Sequence, residues 1–169
     1  MAGAGITLTN ADAAAAALAA LSAALTDGTP VYDKIGNRMV ARTKLRFDAG
    51  AGPDGNPWPP SLRALFDGGR TLVDRGNLVG SISHEAGPQS ASWGTSVVWA
   101  AVHQFGATIA AKDAGALHFT IPGIGHVQRK SVTIPARPFI GLDDEDEDEI
   151  NTIIADELAS HFEGLGRAD

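Results

Sequence analysis

A chain of 169 residues, 44% of them hydrophobic, suits one domain with a sizeable core, and its lack of cysteine removes disulfides, thiolate zinc sites and cysteine nucleophiles together. No run of about 18 apolar residues occurs, so no membrane span is expected, and Met1 to Thr9 lacks the basic region of a secretory signal. The formal net charge of -7 is matched by seven consecutive acids, Asp143 to Glu149; without them 13 acids face 13 basic residues, which excludes a globally basic nucleic-acid surface but not a local basic patch.

In chain order, Asn10 is placed to cap a helix from Ala11, where Leu18, Leu21 and Leu25 recur at helical spacing in an alanine-rich stretch. Asp27-Gly28-Thr29-Pro30 ends it. A second helix is predicted from Val31 to Phe47, with Val31, Ile35 and Met39 on one face and Lys34, Arg38, Arg42 and Lys44 free for others. The short connection would allow the two helices to form a hairpin. Residues 49–60 hold three glycines and four prolines, which forbids regular structure. Trp58 within them either pins the loop to the core, the favoured reading, or anchors a neighbouring subunit.

Residues 71–82 read as a turn and a short helix leading to a strand. Ser81 to Trp99 is strand-like and broken at Gly87-Pro88. A helical turn is placed at Ala100 to Phe105. Leu117 to Ile121 alternates as a strand, Pro122 to Gly125 is a turn, and His126 to Ile134 is its hairpin partner. In the last element Ile150, Ile153, Ile154, Leu158, Phe162 and Leu165 make one apolar stripe at helical spacing, which is expected to be buried. The acidic run is expected to stay solvated, before this helix or in its first turns, where carboxylates favour the positive end of the dipole. The order of elements predicts an α+β fold: N-terminal helices, a central mostly antiparallel β-sheet and a C-terminal amphipathic helix. The layout is an alanine-rich helix or arm over 1–29, a single domain over 30–165 and a short tail over 166–169.

Nothing points positively to catalysis. The five histidines lie at 84, 103, 118, 126 and 161 without metalloprotease spacing. His118 and His126 could face each other across the proposed hairpin, but a lone cross-strand pair is more often structural than a metal site. The acidic run lacks the alternating ligands and the turn glycine of a calcium loop. No phosphate-binding loop and no nucleophile elbow occur. No cofactor and no catalytic residue is therefore assigned.

Three segments carry a family resemblance. Leu72-Val73-Asp74-Arg75-Gly76-Asn77-Leu78-Val79-Gly80-Ser81-Ile82 is the first. Trp99-Ala100-Ala101-Val102-His103-Gln104-Phe105-Gly106 is the second. Ile134-Pro135-Ala136-Arg137-Pro138-Phe139-Ile140-Gly141 is the third. With the Pro-Asp-Gly-x-Pro-Trp loop at 53–58 and their order and spacing, they resemble the virion morphogenesis, or tail-completion, proteins of Mu-like and related contractile-tailed phages. The resemblance covers roughly residues 30–163, with Trp99 where that family usually has tyrosine.

It implies a structural, non-enzymatic role at the head-proximal tail end or neck, where the tail is completed so that a head can join. It also implies a homo-oligomeric ring, sixfold to match the tail tube, with the tube and neck or connector proteins as partners. The implied location is the virion, and the host cytoplasm during assembly. No membrane and no specific nucleic-acid binding are expected. Two other readings are weighed: a neck protein that contacts nucleic acid, and, with less support, a phage-encoded hydrolase.

The signature residues receive physical roles. Phe105 is expected in the core, and Gly106 to allow a backbone turn closed to other residues. His103 and Gln104 would fix that turn with hydrogen bonds. Pro135 and Pro138 stiffen an extended segment ahead of Phe139. Arg137 would aim its fork at carboxylates or carbonyls, within the chain in preference to a neighbouring subunit.

Overall fold

The computed structural model describes residues 26–112, 115–121 and 123–163, with positions 15, 19 and 22 before them. Ala15, Ala19, Ser22 and Thr26 are helical. The rest of the expected first helix, with Leu18, Leu21 and Leu25, lies outside the described residues, and so does the helical hairpin.

Helix α1 runs over Thr29–Ala49, slightly longer at both ends than the periodicity predicts. Pro30 fits its first turn because that position needs no N–H donor. Gly50 ends it in the left-handed conformation (φ 69°), donating its N–H to the Arg46 carbonyl at 2.8 Å. Ile35, Met39 and Phe47 are buried along one face. Gly36 lets this helix press on the next element, since a Cβ there would stand 2.3 Å from the His84 ring.

That element is a hairpin of β1 (Ser83–Gly87) and β2 (Ser90–Gly94), paired Ser83 with Gly94 through Gly87 with Ser90. The break foreseen at Gly87-Pro88 is its turn. Strand character ends at Gly94, short of Trp99. Helix α2 (Leu62–Phe66) is started by Ser61, whose hydroxyl accepts from the Ala64 N–H at 3.1 Å. Helix α3 (Asn77–Gly80) follows Gly76, and helix α4 spans Ala100–Phe105. The core unites Phe47, Trp58, Leu78, Ile82, Ala100 and Phe139.

The α+β class holds, with helices at both ends and antiparallel strands between. Those strands form three two-stranded ladders rather than one central sheet. The expected hairpin partner His126–Ile134 divides at Lys130. Its first part, β5 (Gly125–Arg129), pairs with β4 (Leu117–Ile121). Its second part, β6 (Ser131–Ile134), pairs with β3 (Ala107–Ala110). The Ala111 N–H donates to the Lys130 carbonyl at 2.9 Å, which marks the point of exchange. Four residues too short for a periodicity signal hid β3.

Helix α5 covers Asp144–Glu163, so the acidic run supplies its first turns. The expectation of seven solvated acids is corrected here. Asp146 is completely buried between Arg42 and Arg46, with Arg42 Nε donating at 2.6 Å and Arg46 donating to the other oxygen. Asp143 accepts from both arginines, at 3.1 and 3.0 Å. Farther along, Arg38 pairs with Glu149 and Lys34 with Glu157. Lys34, Arg38, Arg42 and Arg46 are spaced by four, so they share one face of α1. Asp143, Asp146, Glu149 and Glu157 share the facing side of α5. Asp143 and Asp146 also cap α5 reciprocally: the Asp146 N–H reaches Asp143 Oδ1 at 2.8 Å and the Asp143 N–H reaches Asp146 Oδ2 at 3.1 Å.

This pairing also corrects the apolar stripe. Ile150 and Ile153 are half-buried beside the ion pairs, but Ile154 and Leu158 remain 40% and 42% exposed. The charged face, not the stripe, is turned to α1. The side chains of Phe162 and Leu165 lie outside the described residues.

Candidate assembly interface

The two later signature segments meet, and the Trp58 loop joins them. Helix α4 presents Ala100 and Gln104, one turn apart, to the strand-like segment 135–141. The Gln104 carboxamide behaves as a piece of β-ladder: its oxygen accepts from the Phe139 and Ile140 N–H groups at 3.0 and 3.1 Å, and its nitrogen donates to the Ile140 carbonyl at 2.8 Å. The Arg137 N–H donates to the His103 carbonyl at 2.7 Å. Gly106 closes the turn with φ 72° and ψ 163°, a region essentially restricted to glycine. A Cβ there would stand 2.8 Å from the Ala136 nitrogen and 3.0 Å from the Ile134 carbonyl oxygen.

Trp58 takes the loop-pinning role. Its ring is buried edge-on to Phe47, centroids 5.4 Å apart, and its N–H donates to the Pro138 carbonyl at 2.8 Å. Phe139 packs on the other side of Phe47 at 5.3 Å. Arg137 is buried and its partner is within the chain. Its guanidinium donates to the Pro59 carbonyl at 2.6 Å and the Pro60 carbonyl at 3.3 Å. Pro135 is exposed and Pro138 half-buried, on either side of the Ala136-Arg137 pair. Burial, with no carboxylate hydrogen-bonded to it, lowers the Arg137 pKa from its ordinary value. Burial, and then the Arg137 charge, lower that of His103. The His103 Nδ1 is buried without a hydrogen-bond partner, so its carbonyl rather than its ring fixes the turn.

Phe105 is a correction. It is 77% exposed rather than in the core. Ala100 and Gln104 define the inward side of α4, and the next residue turns roughly 100° away. Trp99, one step before Ala100, is 48% exposed and packs edge-on against His103, centroids 5.7 Å apart. Val98 beside it is 93% exposed. Phe105 rims a shallow apolar groove of about 300 Å³ floored by Val97, Ala100, Gln104, Phe139 and Ile140. No charged residue lines that groove.

Among the described residues no cluster of three or more metal-ligating side chains exists, and no helix is long and apolar enough to cross a membrane. His118 and His126 do come together, with rings stacked 5.8 Å apart. They sit diagonally, because His118 pairs with Gln128 and His126 with Thr120.

The model of the phage virion morphogenesis family matches residues 9–159 of this sequence. The chain belongs to that family. The match begins well before residue 30, so the alanine-rich segment is part of what the family shares. The family member is 31% identical over 151 residues to the Mu-like prophage FluMu G protein 2 of Haemophilus influenzae, covering 89% of this chain and 93% of that protein. No solved structure matches it. Membership makes this a structural protein of phage tail or virion assembly. The signature residues accordingly build a rigid junction, in which Trp58, Gln104, Gly106, Arg137 and Phe139 are spent on internal contacts.

Proposed function

We propose that this chain completes the tail at its head-proximal end or neck, as a closed homo-oligomeric ring that lets a head join. One observation carries the reading: Val98, Trp99 and Phe105 stand exposed on α4 and the residues just before it, and Phe105 borders an uncharged groove on an otherwise internally bonded junction. Exposed apolar patches mark interaction sites, and rigid aromatics concentrate binding energy there. The groove accepts an apolar side chain of a neighbouring subunit. Head-to-tail contacts of this kind close into a ring when the rotation allows. Six copies would match the tail tube, with the tube and the neck or connector proteins as neighbours. Membership of the virion morphogenesis family supports that placement, in the virion after assembly in the host cytoplasm.

The test replaces Val98 and Phe105 together with serine. Both are exposed, so the melting temperature should stay within a few degrees. Native mass spectrometry with purified tail tubes should show a discrete oligomer or saturable capping for the natural chain and its loss in the variant. A natural chain that stays monomeric and never binds tubes refutes the reading, as does a variant that caps tubes unchanged.

A further inference from the structure

We infer that the polar face of the β4–β5 hairpin, together with the basic end formed by Arg129 and Lys130, binds the phosphodiester backbone of double-stranded DNA without reading its sequence. The charge of the chain is segregated. From Ala86 to Leu142 the sequence holds one acid, Asp113, against Lys112, Arg129, Lys130 and Arg137. Arg137 is buried, which leaves three exposed cations in a chain whose net charge is -7. Among the described residues Lys112, Arg129 and Lys130 form no ion pair, unlike the basic stripe of α1.

The hairpin sorts its side chains by face. Leu117, Phe119, Ile121 and Val127 are half-buried on one side, and Ile109 and Val132 of the neighbouring ladder line the same small cavity as Leu117 and Phe119. His118, Thr120, His126 and Gln128 are exposed on the other, as the alternation of a strand requires. Each of these four can donate a hydrogen bond. Arg129 pairs with Leu117 and so springs from the half-buried side, but at this end of the hairpin it borders, with Lys130, His118 and Gln128, a shallow depression of about 490 Å³ that also includes Gly115 and Ala116. The Ala111–Lys130 backbone bond brings Lys112 to the same end. Among the described residues Arg129 donates only to the Gln128 carbonyl, at 3.0 Å, and its side chain is exposed.

Protein interfaces centre on buried apolar anchors inside a polar rim. This face has no such anchor. Donors and cations with no carboxylate paired to them among the described residues suit phosphate oxygens instead, and nucleic-acid interfaces are accordingly polar and positive. The inference stands apart from the ring reading: a ring could form without touching DNA, and a monomer could touch DNA. If both hold, several copies would present this face together to a passing duplex.

The experiment titrates the full chain into a labelled mixed-sequence duplex and follows fluorescence anisotropy at several salt concentrations. Three phosphate contacts predict a log–log salt slope of about -2.7, or roughly a 40-fold loss of affinity between 50 and 200 mM salt. Arg129→Gln with Lys130→Gln should reduce the slope to about -0.9. Lys44→Gln, an exposed cation of α1, should leave affinity unchanged. Circular dichroism confirms that each variant folds, since all three positions are exposed. No binding by the natural chain at low salt overturns the inference. So does a double variant that binds as tightly with the same slope. A third result would also overturn it: salt-sensitive self-association without DNA, lost in the double variant, would assign the face to a second copy of this chain.

Discussion

Replacing Asp146 with asparagine tests whether the buried end of the acidic run holds α1 to α5. The carboxylate is fully enclosed and receives hydrogen bonds from Arg42, Arg46 and the Asp143 N–H. Asparagine keeps the volume and one acceptor oxygen, so the cap is largely retained while the charge is lost. Removing one partner of a buried ion pair costs about 3–5 kcal/mol. Arg42 retains Asp143 and Glu145, and Arg46 retains Asp143, which places the expected loss near the lower end, about 3 kcal/mol. For a chain of this size that lowers the melting temperature by about 6–12 °C. Asp146→Ala, which also removes the cap, should lose about 1 kcal/mol more. The controls are Glu147→Gln and Asp148→Asn, both exposed, with expected changes within about 0.5 kcal/mol. Calorimetric melts of all four variants at low ionic strength decide the matter. Equal losses at 146, 147 and 148 would mean that the run acts as a diffuse charge, and an unchanged midpoint for Asp146→Asn would refute the buried clamp altogether.

Further expectations rest on single contacts. Gly106→Val should destabilise by about 3 kcal/mol or more, because the backbone region excludes side chains and the Cβ would strike Ala136; a thermal melt equal to that of the natural chain would mean that the turn relaxes freely. Gln104→Leu leaves the Phe139 and Ile140 N–H groups without their partner, for a loss of about 2–4 kcal/mol in chemical denaturation, whereas Gln104→Ala should lose at least as much. Acid should weaken the α1–α5 junction. Burial alone would raise the Asp143 carboxyl, but the Asp146 N–H and the Arg46 and Arg42 guanidinium groups outweigh it and hold it below the usual range. A folded pKa below the unfolded one means that the stabilisation is present above the ordinary carboxylate range and is lost as pH falls through the folded value. Stability measured from pH 7 downward should therefore start to drop below about pH 5, and Asp143→Asn should flatten that drop.

The elements most legible in the sequence were those with local signals. The Ile35 and Met39 spacing and the glycines after Phe47 marked α1. The Phe105-Gly106 step announced a turn, and Trp58 between prolines announced a pinned loop. What stayed hidden was pairing between distant segments. The spacing of Asp143, Asp146 and Glu149 by three matches one helix face, and Lys34, Arg38, Arg42 and Arg46 repeat by four. Each pattern was visible alone, but nothing local says that they meet. The same limit applies to β3, whose partner lies more than twenty residues away. Phe105 misled because its apolar character outweighed its position one step past the inward residues of α4. Ile154 and Leu158 misled in the same way, since the ion pairs had already claimed the adjacent face.

The basic stripe of α1 bears on how the chain is made as well as how it stands. Like charges one turn apart oppose helix formation by a few tenths of a kcal/mol per pair, and α1 carries three such steps. The acids of α5 repel one another similarly. Each helix is thus half of a polyelectrolyte complex whose two strips are written about a hundred residues apart. Synthesis delivers the cationic strip first, with no counterpart until α5 leaves the ribosome. Consolidation of the domain is deferred until α5 has been made, and a truncated product lacking α5 would carry an uncompensated cationic strip rather than a smaller stable fold.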